Sequence, residues 1–97
     1  MRNTPDFEET CALMRDLGFT LEEVQFQRQA FGSWFVSARA KGKPIRVVWD
    51  GRDYLLFIQK PCSSARLDPW KDFWTAGDWC DHKLAELQVE LIGVLNS

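Results

Sequence analysis

The stretch Ile45-Arg46-Val47-Val48-Trp49-Asp50-Gly51-Arg52-Asp53-Tyr54-Leu55-Leu56-Phe57-Ile58 decides the fold. β-Branched and aromatic residues, which pack well on a pleated surface, flank an Asp-Gly pair that can turn the chain back on itself, so it reads as an antiparallel hairpin. Two registers are open to it. A two-residue loop sets Val48 against Asp53 and Trp49 against Arg52, whereas a four-residue loop sets Trp49 against Tyr54, Val47 against Leu56 and Ile45 against Ile58. The second keeps apolar residues opposite one another and is the expected pairing. The opposite face still carries Val48, Leu55 and Phe57 beside Arg46. Both faces are therefore apolar, as in strands covered on two sides, which leaves three candidates for the second cover: helices, a second copy packed sheet to sheet, or a partner protein.

Towards the N-terminus, Trp34-Phe35-Val36-Ser37-Ala38-Arg39 reads as a strand between turns at Phe31-Gly32-Ser33 and Lys41-Gly42-Lys43-Pro44. Residues 20–30 admit two readings. Thr20 with Glu23 could box a helix start, but Val24 and Phe26 alternate with Gln25 and Gln27, and a strand is expected. Before them, Thr4-Pro5-Asp6 can cap and open a helix over residues 5–17, with Phe7, Cys11, Met14 and Leu17 as its apolar stripe and Gly18 as its stop.

Towards the C-terminus, Lys60 to Leu67 reads as a loop, and Asp68-Pro69 as a second helix start that would put Trp70, Phe73 and Trp74 on one face. Gly77 would end that helix and Asp78 cap the last one, striped by Cys80, Leu84, Leu87, Leu91 and Val94 or Leu95. The expectation is thus an α+β fold of order α-β-β-β-β-α-α: a four-stranded antiparallel meander flanked by an N-terminal helix and C-terminal helices.

The 97 residues suffice for one domain, 1–97, around a single core. A hydrophobic share of 45% excludes a disordered chain, and five Trp with seven Phe imply that a few large rings dominate the interior. The polar N-terminus offers no signal-peptide core, and no apolar run approaches the roughly 18 residues that span a bilayer. Three widely spaced cysteines, Cys11, Cys62 and Cys80, argue against a disulfide framework and for a reducing compartment, hence a cytoplasmic protein. Charge is uneven: residues 1–23 hold two basic and six acidic side chains, residues 24–60 seven and two, and residues 61–97 three and six.

No motif favours catalysis, and no enzyme activity or cofactor is expected. His82 is the sole imidazole; with Asp78, Asp81 and Cys80 it could begin a metal site, but zinc wants three or four ligands and an N-capping Asp with a surface His explains the spacing. Cys62 with His82 could form a nucleophilic pair, yet nothing in the local sequence lowers the thiol's pKa. Phosphate-binding glycine loops are absent from the sequence. Trp34, Phe35, Trp49 and Phe57 in the basic middle could stack single-stranded bases, but the acidic flanks would repel a polyanion, so nucleic acid is disfavoured. Trp70, Trp74 and Trp79 among Asp72 and Asp78 have the composition of a protein-binding hot spot for a basic partner. The competing reading is a small-molecule pocket between sheet and helices lined by Trp49, Tyr54 and Trp74. The apolar second face also motivates a homodimer.

The run from Phe31-Gly32-Ser33 through Val47-Val48-Trp49-Asp50-Gly51-Arg52-Asp53 to Leu56-Phe57-Ile58-Gln59, followed by Trp70-Lys71-Asp72, spans roughly half the chain. It resembles small bacterial immunity proteins of polymorphic toxin systems and orphan mobile-cassette proteins. That resemblance implies a non-enzymatic protein that binds and blocks another protein; it assigns no residue a role.

Overall fold

The computed structural model describes residues 4–29, 31–61 and 70–96. Its elements are α1 (Phe7–Asp16), β1 (Thr20–Gln27), β2 (Ser33–Ala40), β3 (Lys43–Asp50), β4 (Leu55–Pro61), β5 (Trp70–Ala76) and α2 (Asp81–Asn96). The strands form one antiparallel meander in sequence order, β1-β2-β3-β4-β5. The α+β class stands, but among the described residues there are five strands instead of four and two helices instead of three. Residues 20–27 are the expected strand.

The fifth strand replaces the helix expected after Asp68-Pro69, a cap pair that lies outside the described residues. Gln59 pairs with Asp72 and Ile58 with Trp74, so Phe73 is an extra residue bulged out of the ladder. A bulge breaks the two-residue alternation of a strand. Trp70, Phe73 and Trp74 mimic a helical stripe for that reason. Their β-favouring side chains instead complete the hydrogen bonding of β4, which would otherwise be an edge. Asp78 does not cap the last helix: it sits in the left-handed region at φ 49°, and α2 starts three residues later.

At the other end, α1 is capped by Asp6 and not by Thr4. Asp6 Oδ1 accepts from the backbone N–H groups of Glu8 (2.8 Å) and Glu9 (3.2 Å), donors that the first helical turn leaves without partners. The helix accordingly begins two residues later than expected.

The central hairpin has a four-residue loop, displaced one position along the chain. Asp50 pairs with Leu55, Trp49 with Leu56 and Val47 with Ile58, so the expected pairing of Trp49 with Tyr54 is corrected by two residues. Asp50 Oδ1 accepts from the backbone N–H of Arg52 (3.0 Å) and Asp53 (3.3 Å), which makes Asp50 the start of the turn. Gly51 donates its N–H to Ser33 Oγ at 2.9 Å, and a Cβ there would overlap the Phe31 carbonyl oxygen. This close approach to the β1–β2 turn demands glycine. A slip of two leaves every side chain on its expected face.

On one face, Trp34, Val36, Ala38 and Ala40 of β2, Ile45, Val47 and Trp49 of β3, and Leu56 and Ile58 of β4 are buried in one cluster with Cys11 and Met14 of α1 and Leu87, Leu91 and Val94 of α2. Both helices thus pack on the same side, giving two layers. The smallest dimension, 20 Å against 35 and 30 Å, fits two layers and leaves no room for a third. Lys43 Nζ donates to the Val94 carbonyl (3.4 Å), placing a cation at the negative end of α2.

Candidate functional site

Two surfaces remain once the core is assigned. The first is the sheet face opposite the helices, which no described helix or strand covers. Phe35 lies beside Val48 and Val48 beside Phe57, so a half-buried apolar row crosses β2, β3 and β4, and the exposed Thr75 of β5 stands next to Phe57 at its end. In the next row Ser37 faces Arg46, Arg46 faces Gln59 and Gln59 faces Asp72. There Arg46 Nε donates to Gln59 Oε1 at 2.8 Å and Gln59 Nε2 donates to Asp72 Oδ1 at 2.7 Å, a ladder that spans β3, β4 and β5. The Arg46 guanidinium also stands over two rings, 4.8 Å from the centroid of Trp70 and 5.7 Å from that of Phe35. Each such contact contributes about 0.5–1 kcal/mol where solvent reaches it. The result is an amphipathic plate whose guanidinium is positioned by a hydrogen bond and two rings.

The second surface is a cleft of about 570 Å³ where the start of α1 meets the ends of β1, β2 and β3. Its residues come from distant parts of the chain: Asp6, Phe7 and Glu8 from the helix start, Phe26 from β1, Phe31 and Gly32 from the turn, and Trp34 and Trp49 from neighbouring strands. Phe7 meets Phe26 and Trp34 edge to face, each at 5.6 Å, so the rings make a corner and not a closed stack. Phe31 also lines the cleft, has φ 59° and is 70% exposed.

The residues expected to contact a partner do not form one surface. The bulge at Phe73 divides them: Trp70 and Asp72 belong to the open face, whereas Trp74 pairs with Ile58 and turns to the helix side. Trp79 is 7% exposed and belongs to the core, and Asp78 is exposed in the turn before α2. The pocket expected from Trp49, Tyr54 and Trp74 is likewise divided. Trp49 and Tyr54 touch edge to face at 5.9 Å, but Trp74 lines a separate shallow hollow with Ala85, Glu86, Val89 and Glu90 of α2. Tyr54 itself lies in the β3–β4 turn and is half exposed. Of the base-stacking set, Trp34 and Trp49 face the helices while Phe35 and Phe57 face the other way.

Cys80 Sγ lies 3.9 Å from His82 Nδ1 on the exposed start of α2. Among the described residues no group of three His, Cys, Asp or Glu side chains converges as metal ligands would. Cys62 lies outside the described residues. Burial pushes the Cys11 thiol above its ordinary value, so it behaves as a small core hydrophobe rather than a nucleophile.

Sequence reading missed Arg46 and Phe57 as members of a single plate and missed Phe31 altogether as more than a turn residue. The signal for the plate was present in Val48, Leu55 and Phe57 beside Arg46. For the cleft, the one local signal is an aromatic residue directly before a turn glycine. No helix among the described residues is long and apolar enough to cross a membrane. No protein-family model, no curated protein and no solved structure matches this chain.

Proposed function

We propose that this protein is a small non-enzymatic binding module that docks a protein partner on the open face of its sheet, in the manner of an immunity or inhibitor protein that blocks what it binds. The observation that carries this reading is the plate of Phe35, Val48, Phe57 and Trp70 around Arg46, which is apolar and not used by the core. Large rings with one arginine are the composition of interface hot spots, and such residues contribute most when a partner excludes water from them. Asp72 at the end of the ladder and the net charge of -2 favour a partner with a basic rim.

The test is affinity capture from the native host with wild-type bait and a Phe57→Asp bait. A protein retained by the wild type and lost with Phe57→Asp, while both baits keep a cooperative unfolding transition, is the expected result. If no protein is retained at micromolar bait, or Phe57→Asp retains the same one, the reading fails. Light scattering on the two baits identifies the case in which the partner is a second copy of the chain, because Phe57→Asp would then split the dimer.

The aromatic cleft favours a second reading, in which the protein holds a small molecule. Five aromatic side chains, Phe7, Phe26, Phe31, Trp34 and Trp49, line it, which suits an apolar ligand.

A further inference from the structure

Phe31 is the most exposed large apolar side chain described, and its backbone occupies the left-handed region that bulky residues avoid. Glycine or asparagine would sit there with less strain. The fold gives that ring almost no burial in return. The Phe31 carbonyl abuts Gly51, and the neighbouring Ser33 Oγ accepts the Gly51 N–H. An aromatic ring left so exposed on a left-handed backbone points to a role outside the fold.

That role is read from the cleft the residue lines. Phe31 lines one cleft together with Phe7, Phe26, Trp34 and Trp49. Asp6 and Glu8 border it, and no Lys or Arg is among the described residues that line it. Asp6 is committed to the helix cap, which leaves Glu8 as the second carboxylate at the border. Aromatic faces carry negative potential and attract a cation that water solvates weakly, above all a substituted ammonium. A nearby carboxylate adds to that field in a site with low-dielectric walls. A neutral apolar ligand would leave the carboxylate border unused, and an anion would be repelled by it.

We propose that this cleft binds a small organic cation, a substituted ammonium with an apolar body, with Phe31 as the exposed gatepost of its aromatic lining. The site is independent of the protein-docking face.

The experiment titrates benzyltrimethylammonium, its neutral isostere neopentylbenzene and a peptide carrying one trimethyllysine, read by tryptophan fluorescence, which Trp34 and Trp49 report. Saturable binding of the free cation, at least about fivefold tighter than the isostere, is expected. Phe31→Asn should weaken it about tenfold or more while leaving the melting temperature unchanged or raised, because Asn relieves the left-handed strain. Glu8→Gln should weaken it about threefold, with less loss at high salt. Phe57→Asp should leave the cation affinity unchanged, so failure of the docking face and failure of the cleft are read separately. Absence of saturable binding at millimolar cation overturns the proposal, as does equal affinity for the isostere. An unaltered affinity in Phe31→Asn does the same, and a trimethyllysine peptide that binds far more tightly than the free cation assigns the cleft to a protein side chain instead.

Discussion

The two faces of the sheet are built from the same kinds of residue and differ in what lies on them. Ile45, Val47, Trp49, Leu56 and Ile58 are all but removed from solvent beneath α1 and α2, whereas Val48, Leu55 and Phe57, one position out of phase with them, are only half-buried. Hydrophobicity alone therefore does not make a core. What separates the faces is that both helices come from the chain ends and land on the same side. The covered face stabilises the protein; the open face keeps its apolar area available for another surface.

The comparison is most sharply tested by matched truncations. Ile58→Ala on the covered face should lower unfolding free energy by about 2–5 kcal/mol in urea titration, since the side chain leaves a cavity that helices cannot fill. Phe57→Ala, its neighbour on the open face, removes a larger side chain yet should cost less than about 1.5 kcal/mol, because no cavity forms on a half-exposed surface. Equal losses would mean that the open face is covered in solution. Gly51→Ala should cost about 1–3 kcal/mol, as the added methyl group must push the two turns apart. Because Gly51 supports both the covered hairpin and the Phe31 gatepost, the same variant should also weaken cation binding. Asp6→Ala should cost about 1 kcal/mol by orphaning two N–H groups at the start of α1, measured by thermal unfolding monitored at helical wavelengths.

The smallest expected effect is a pH dependence confined to the covered side. Burial raises the Cys11 thiol above its ordinary value, so unfolding makes deprotonation easier. The stability tied to this group is present in full below the unfolded thiol's pKa and is lost as pH rises through the raised folded value. Cys11→Ala should flatten the alkaline limb of the stability curve; a limb of unchanged slope would place its origin elsewhere.

Much of this arrangement is legible in the sequence, and the failures have physical causes. The alternation in 45–58 correctly assigns both faces of the hairpin, because period-two patterning survives a register slip of two. It misplaces the turn because the decisive contact, Gly51 against Phe31, joins residues twenty positions apart. The stripe of α1 is legible through Cys11 and Met14, while its start is misjudged because two residues on either side of Pro5, Thr4 and Asp6, can both cap. Segment 70–76 is misread because a single bulge disguises a strand as a helix. The candidate cleft is invisible for a different reason: its walls come from one helix start, one turn and three strands, and no local pattern encodes their meeting.

The bulge at Phe73 also makes β5 unequally tolerant of two kinds of change. Substitution there alters one side chain that stands outside the ladder, over which Lys60 Nζ rests at 4.3 Å. Deletion would shift the phase of the strand, so that either Trp70 and Asp72 or Trp74 and Ala76 must exchange faces. One residue thus acts as a phase marker, and the division of tryptophans between the interior and the outer plate is encoded in chain length, not in side-chain chemistry.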